Sequence, residues 1–437
     1  MDKNYYITTP IYYPSAKPHM GHAYSSIIAD FFARFKRIDG FKVHFLTGTD
    51  EHGLKIQRAA ESKNIDPQIF CDEISQTFRN LSNTLNLSNT DFIRTTEDRH
   101  KKTVQYLWAQ LEKNDDIYLS KYSGWYSVSD EAFYTEEEIS EKEDIKIATT
   151  SGSPVEWIEE ESYFFRLSKW QDSLLEYYEN NPDFISPKSR KNEVISFVKS
   201  GLKDLSISRK AFSWGIKVPN NPEHVIYVWL DALTNYISAL NYPNTDDDLF
   251  KNFWPASVHL IGKDILRFHA VYWPAFLMAA KITLPNKVYG HGWILSGDEK
   301  MSKSKGNILD PLDIIETYGL DPLRYYLIKE VSFGNDGNIS QDRLEDCINS
   351  DLANNYGNLC QRVTAFAEKN CQSKVPDIKN FIEEDLLMLN KFSDNMLLIR
   401  KEIDNQNINY YINFIINALF EANKYFNDQE PWKKKMT

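Results

Sequence analysis

Residues 5–63 alternate short apolar runs with longer stretches of helical period, and the same alternation returns over residues 224–291. No other feature of the chain restricts its fold as much. Tyr5 to Thr9 predicts a short buried strand. Pro10, Pro14 and Pro18 then bar helix until about His19, because each ring removes a donor and turns the preceding residue away from helical geometry. From Gly21 onward, Ala23, Ile27, Ile28, Phe31, Phe32 and Phe35 recur at helical spacing, and Gly40 stands where a helix C-cap is expected. Lys42 to Thr47 predicts the next strand and Gly53 to Lys63 the next helix. Later, His224 to Trp229, Val258 to Ile261 and Lys287 to His291 predict strands. Helices are expected between them, over Asp231 to Leu240 and Asp264 to Ala280. Such alternation predicts an α/β chain with a doubly wound parallel sheet.

Between the two halves, residues 116–223 carry many charges, aromatics and short apolar runs without a strand–helix rhythm. That stretch predicts an inserted domain splitting the sheet. After about Asp342 the pattern turns helical: Leu344, Ile348, Leu352, Tyr356, Leu359, Val363 and Phe366 step by three or four. Two further helical stretches, Leu386 to Ile403 and Tyr410 to Phe426, follow a polar break containing Pro376. The expected division is 1–115 and 224–290 for the two sheet halves, 116–223 for the insertion, 291–340 for a lysine-rich loop and contact region, and 341–437 for an all-α bundle.

A chain of 437 residues exceeds one ordinary core, since domains usually run to about 100–200 residues. Its formal net charge of −12 argues against indiscriminate coating of nucleic acid, though an acidic body can still carry a local basic path. Cys71, Cys347, Cys360 and Cys371 form no CxxC and read as thiols in a reducing compartment. The start MDKNYYITTP lacks the apolar stretch of a signal peptide. Apolar runs such as Ala275 to Ala280 fall far short of the roughly 20 residues of a membrane span. A soluble cytoplasmic protein with no membrane partner is expected.

Two motifs carry chemistry. His19-Met20-Gly21-His22 falls where the first helix begins, and helix N-termini favour anions. Gly21 lets a ring or phosphate approach the backbone, and two imidazoles can donate to phosphate oxygens. A pair of capping histidines at a surface turn is the plain alternative. The second motif, Lys300-Met301-Ser302-Lys303-Ser304-Lys305-Gly306, suits a loop closing over a polyphosphate, with lysines as point charges. Alone it would read as a solvated basic turn. Ile11, Tyr13, Trp229, Ala232, Leu233, Tyr236, Ile265 and His269 share a location at strand ends. They suit a long apolar or thioether side chain, because sulfur packs well against aromatic edges.

The two motifs in this order resemble the class I aminoacyl-tRNA synthetases: PHMGH is similar to their HIGH signature and KMSKS is present letter for letter. TTPIYY, FLTGTDEHG, DFIRTTEDRHKK, YVWLDAL, IGKDILRFH and HGWIL narrow the resemblance to the methionyl-tRNA synthetase family over essentially the whole chain. The resemblance implies a Rossmann-like sheet split by a connective-peptide insertion, followed by a helical anticodon-binding bundle. It implies ATP-dependent activation of methionine, with Mg²⁺ accompanying ATP, then transfer to the 3′-terminal ribose of tRNA(Met), the initiator included. By the same resemblance, His19, His22, Lys300 and Lys303 are the catalytic set. Gly21, Asp264, His291, Gly292 and Ser302 join them around ATP, with Asp264 on the ribose. Asp50 takes the substrate ammonium. Arg209 of DLSISR meets substrate or phosphate charge. The aromatic and aliphatic set lines the methionine pocket, and Asn358, Arg362 and Trp432 meet the anticodon.

Two departures from the family pattern stand out. Its insertion often carries a cysteine zinc knuckle, yet Ser127 and Asp130 stand where the first pair would be and ATTSGSPVEW has no cysteine. Serine is a poor zinc ligand, so no zinc is expected and the turn must hold by packing and hydrogen bonds. The chain also ends five residues after Trp432, so the bundle is expected to be shortened, with amino-acid activation intact and a monomeric state. The rivals are a non-catalytic RNA-binding relative, a nucleotidyltransferase acting on a small metabolite, and a sister synthetase for another aliphatic amino acid. The last would carry a larger editing insertion.

Overall fold

A computed structural model describes residues 3–14, 17–128, 130, 132–142, 145–296, 299–300, 310–331, 333–375 and 380–433. The chain divides into two units. One comprises Met1–Pro18 and Ile28–His291, the other His19–Ile27 and Gly292–Thr437.

The first unit is built on a six-stranded parallel sheet. Strand β1 (Asn4–Thr8) leads through the proline loop to helix α1 (Met20–Ile38). Gly40, at φ +84°, closes that helix, with Gly40 N–H donating to Arg37 O and Phe41 N–H to Lys36 O. There follow β2 (Lys42–Thr49), α2 (Leu54–Ser62), α3 (Pro67–Thr84), β3 (Asp91–Arg94) and α4 (Asp98–Lys113). The sheet runs β3, β2, β1, then strands Val258–Gly262, Val288–His291 and Ile185–Ser186. From Val43 to Thr49 every residue of β2 is buried, as a strand covered on both faces must be. Each large apolar side chain buried here, such as Phe45 or Ile261, contributes roughly 1.5–3 kcal/mol.

Strand order reverses at β1: β2 lies on one side, and Ile7 pairs with Val258 of the later half on the other. Doubly wound sheets bind ligands in the crevice at such a reversal, which here falls at the carboxyl ends of β1 and Val258–Gly262. The sixth strand, Ile185–Ser186, comes from within residues 116–223 and pairs with Val288 and Tyr289. Two residues carry no periodicity, so this edge strand had no signal in the sequence. The remainder of that stretch holds a separate antiparallel sheet, in which Ile117–Ser127 pairs along its length with Glu156–Phe165.

Two helices expected from periodicity are broken. Residues 264–280 hold a 3₁₀ turn at Lys263–Ile265, a π turn at Phe268–Tyr272 and an α-helix at Trp273–Ala279. Pro274 has no N–H for the carbonyl of Ala270, and the Tyr178 hydroxyl donates to that carbonyl instead, at 2.6 Å. The strand expected to reach Trp229 ends at Ile226. Helices Val228–Leu233 and Asn235–Ser238 follow, separated at Thr234, whose hydroxyl donates back to Leu230 O at 2.7 Å.

In the second unit, Ile294–Ser296 pairs antiparallel with Glu299–Lys300 and parallel with Gly337–Asn338. The long helix expected after Asp342 is one helical run, Gln341–Cys347 and Asn358–Asn370, widened to π geometry over Ile348–Gly357. Helices Glu383–Ser393, Met396–Asp404 and Ile408–Gln429 complete it. Asn423 donates to Asn355 Oδ1 at 3.0 Å and joins the last helix to the π turn. No helix among the described residues is long and apolar enough to cross a membrane.

Candidate active site

The crevice is lined from three directions in the first unit. After β1, Ile11 and Tyr13 follow Pro10, and the Tyr13 hydroxyl donates to His52 O at 3.0 Å. After β2, Asp50 is buried, its N–H donating to Tyr12 O at 2.9 Å. The next residue, Glu51, is fully buried. It accepts from Arg94 Nε at 2.7 Å and Nη2 at 2.9 Å, from Thr49 Oγ1 at 2.7 Å and from Thr96 Oγ1 at 2.6 Å. A buried carboxylate needs such saturation. Nothing in the sequence singled out Glu51 or Arg94, because the pairing depends on β3 lying beside β2.

From the later half, helices Val228–Leu233 and Asn235–Ser238 bring Trp229, Ala232, Leu233 and Tyr236, and the π turn brings His269. Trp229 stacks on Phe268 with ring centroids 3.5 Å apart and 6° between planes. Tyr236 lies over His259, centroids 4.0 Å apart, and its hydroxyl is 2.7 Å from His269 Nε2. His269 Nδ1 lies 3.0 Å from Ile265 O. A carbonyl only accepts, so Nδ1 carries the proton and Nε2 accepts from the tyrosine. Burial pushes the His269 imidazole down to about 4 and His259 well below its ordinary value, so both stay neutral. Phe268 and His259 were not foreseen; their neighbours in sequence were the only hint.

Asp264, in the turn after strand Val258–Gly262, and His291, at the end of Val288–His291 and paired with Gly262, both flank that glycine. A Cβ on Gly262 would come within 2.6 Å of Asp264 Oδ1, so the bare backbone makes room for that carboxylate, with His291 Cε1 at 4.0 Å in ordinary contact range. Arg209 is buried on the short strand Ser208–Arg209. Its Nη1 donates to Ser206 Oγ at 2.8 Å and Ser208 O at 2.6 Å, and its guanidinium lies 4.3 Å from the Tyr227 ring centre.

In the second unit, His19 and His22 face each other with ring centroids 3.8 Å apart. The backbone N–H of Gly21 donates to His19 Nδ1, and that of His19 to His22 Nδ1, both at 3.1 Å. Each Nδ1 is therefore an acceptor, and each neutral ring carries its proton on Nε2. Burial, then the neighbouring His19, hold His22 well below its ordinary value. A Cβ on Gly21 would lie 3.0 Å from His19 Cε1, so glycine lets the first ring fold back. Gly292 has a packing reason as well: a Cβ there would strike the backbone of Asn335 at 2.1 Å. Lys300 lies on Glu299–Lys300, and Ser302 and Lys303 fall outside the described residues.

Arg362, on helix Asn358–Asn370, donates to Asn427 Oδ1 at 2.5 Å and sits 4.9 Å from the Phe426 ring centre. Phe426 in turn lies 5.9 Å from the half-exposed Trp432. Arg362 and Trp432 thus share one aromatic cluster, whose bridging member Phe426 was not foreseen; Asn358 is exposed at the start of the same helix.

The turn where the family pattern would place a zinc knuckle gathers hydroxyls around Asp130 among its described residues. Asp130 accepts from Ser151 Oγ at 2.5 Å, Ser153 Oγ at 2.7 Å and the Tyr134 hydroxyl at 2.8 Å, and its own N–H donates to Ser127 Oγ at 3.3 Å. One carboxylate satisfied by hydroxyls is a poor donor set for zinc. Among the described residues, no three or more His, Cys, Asp or Glu are grouped to hold a metal ion.

Residues 5–364 match the family model described as tRNA synthetases class I (M). The chain is 55% identical over 443 residues to the methionine–tRNA ligase of Rickettsia felis, covering all of this chain and 85% of that protein. It is 52% identical over 435 residues to that of Brucella melitensis, covering 100% and 84%. Its fold superposes on Mycobacterium tuberculosis methionyl-tRNA synthetase in complex with methionyl-adenylate with a TM-score of 0.97. That likeness has 48% identity and covers 99% of this chain and 86% of the other. With a parallel sheet that reverses at β1, and these matches along nearly its whole length, the chain belongs to the methionine–tRNA ligases among the class I tRNA synthetases.

Proposed function

We propose that the crevice at the reversal of strand order binds methionine and Mg²⁺–ATP for the adenylation step, and that the observation carrying this assignment is the Tyr236–His269 pair beside Trp229. A buried hydroxyl and a neutral imidazole in an aromatic wall suit a thioether, which packs on ring edges and accepts only weakly. Ile11, Tyr13, Ala232, Leu233 and Ile265 complete that wall. Asp50 takes the ammonium, whose charge a partly desolvated carboxylate holds well. Arg209 supplies positive charge on the insertion side.

Adenylation needs no nucleophile from the protein. A methionine carboxylate oxygen attacks the α-phosphorus of ATP, the bond to the α–β bridging oxygen breaks, and pyrophosphate leaves. Positioning and neutralisation of charge supply the rate. His19 and His22, neutral with Nε2–H donors, bind phosphate oxygens without competing for the proton. Gly21 keeps them close, Asp264 holds the ribose hydroxyls, and His291 and Gly292 border the nucleotide. Lys300, Ser302 and Lys303 follow the charge as it moves to the leaving pyrophosphate. Mg²⁺ arrives with the phosphates, as is usual for this ion. The 3′-terminal ribose of tRNA(Met), initiator included, then attacks the adenylate carbonyl and AMP leaves.

The division of labour follows 1–115 and 224–290 for chemistry, 116–223 for the connective insertion, 291–340 for the loop and stem region, and 341–437 for the anticodon. Asn358, Arg362 and Trp432 read that anticodon, by stacking and by hydrogen bonds to unstacked bases. The turn around Asp130 works without zinc, the protein is a monomer, and it acts in the cytoplasm.

ATP–pyrophosphate exchange against each of the twenty amino acids tests the central assignment. Exchange with methionine alone is expected; exchange with another amino acid would mean the pocket is misread. Lys303→Ala should lose exchange far more than methionine binding, and equal losses would remove its transition-state role. Metal analysis of the purified protein should find no stoichiometric zinc.

A further inference from the structure

Asp231 lies in the helix Val228–Leu233, between Trp229 and the residues Ala232 and Leu233, and has no exposure at all. Its two oxygens are used separately. Oδ2 is 2.7 Å from His52 Nδ1, and Oδ1 is 2.7 Å from His100 Nε2. His100 Nδ1 in turn lies 2.8 Å from Ser238 Oγ, on the helix that carries Tyr236. Burial works against the Asp231 charge, but the two imidazoles outweigh it and hold the carboxyl below its ordinary value. His52 stands two residues after Asp50, its ring edge on Trp214, and its carbonyl receives the Tyr13 hydroxyl.

One carboxylate therefore joins three pieces of the crevice: the loop after β2 that holds Asp50, the loop after β1 that holds Tyr13, and the helices that hold Trp229 and Tyr236. The sheet ties the first two pieces, since its ladder runs on to a Tyr12–Thr49 bridge, but it does not reach the helices, whose preceding strand Asn221–Ile226 lies in a separate sheet. Glu51, next to His52, is pinned to Arg94 on the other side, so the segment Glu51–His52 is anchored at both residues.

We propose that Asp231, acting through His52 and His100, is a positioning residue for methionine: it sets the distance between the ammonium-binding carboxylate and the side-chain pocket. It touches neither substrate. The proposal rests on the assignment of methionine to this crevice. Its chemistry predicts a selective effect. The Asp231→Asn variant presents an N–H to one imidazole, which must then lose its bond or shift its proton. Loosening the loop against the helix misplaces the ammonium site relative to the thioether site, and a misplacement of about 1 Å costs on the order of a hundredfold.

The test is steady-state ATP–pyrophosphate exchange. Asp231→Asn should raise KM for methionine roughly tenfold to a hundredfold while KM for ATP stays within about threefold. A merely structural role would lower activity with no such split. Equal changes in both constants, or an unchanged methionine KM, would overturn the proposal. If Asp231→Asn does not fold, His52→Ala and His52→Asn take its place, since the asparagine amide can stand where Nδ1 stands. His52→Asn should keep the methionine KM near that of the parent and His52→Ala should raise it; no difference between them sinks the idea. Asp50→Ala separates the two levels of the argument. If it raises methionine KM and Asp231→Asn does not, the crevice is right and the positioning role is wrong. If neither does, the methionine site has been put in the wrong place and the proposal falls with it.

Discussion

Asp231 and Asp130 are both carboxylates satisfied by side-chain donors, but one takes two imidazoles with no exposure and the other takes three hydroxyls at a half-buried turn. Water cannot replace a donor at the first and can replace one at the second. The first hub therefore transmits position, and the second only holds a turn. A site that must keep its geometry is thus built where nothing can substitute for a partner.

The largest expected effect separates the two hubs outright. Asp231→Ala leaves two imidazoles buried beside a void and should cost about 3–5 kcal/mol of unfolding free energy, read by urea titration. Asp130→Ala should cost about 1–2 kcal/mol, because its serines can turn to water. A loss at Asp130 as large as that at Asp231 would break the distinction.

Acidification gives a second separation. His269 and His44 are held down to about 4 by burial, while an unfolded histidine titrates near 6.5. Between these values the unfolded chain binds the protons, so stability is complete above about pH 6.5 and falls as pH drops toward 4, by up to about 1.4 kcal/mol per pH unit for each ring. Asp130 and Asp231 have depressed values, so their contribution is present above the ordinary carboxyl range and is lost only below it. Burial alone would raise the Asp130 carboxyl; hydrogen bonds from Ser151 and Ser153 reverse that. A stability profile flat from pH 6.5 to 4 would show that the buried histidines do not stay neutral. The smallest effects belong to Ser151→Ala and Ser153→Ala, each about 1 kcal/mol of local stability with pyrophosphate exchange unchanged. A rise in methionine KM in either would mean that this turn reaches the crevice after all.

Legibility in the sequence followed the range of the interactions. The prolines at 10, 14 and 18 and the helical period from Gly21 announced β1, the loop and α1, whose first helical residue is Met20. Trp229, Tyr236 and His269 were placed at strand ends by the same local grammar, and Tyr236 does meet His269. The absence of cysteines from this turn was legible, but not that Asp130 would gather serines from 21 and 23 residues away. Strand Ile185–Ser186 was invisible, being too short to show a period. The break of the helix at Pro274 was visible as a proline, while the tyrosine that takes the freed carbonyl lies 92 residues earlier.

By itself, the sequence determined the longer strands and helices of the sheet and the kinds of groups available at their ends, properties of local backbone preference and periodicity that each segment carries alone. The family was legible separately, through the resemblance of the two nucleotide motifs. Only the tertiary structure decided that Asp231 would take His52 from 179 residues away and His100 from 131, and that Glu51 would take Arg94. A buried charge must find its donors wherever the closed fold brings them, and which donors those are is settled by packing and desolvation rather than by neighbours in the chain.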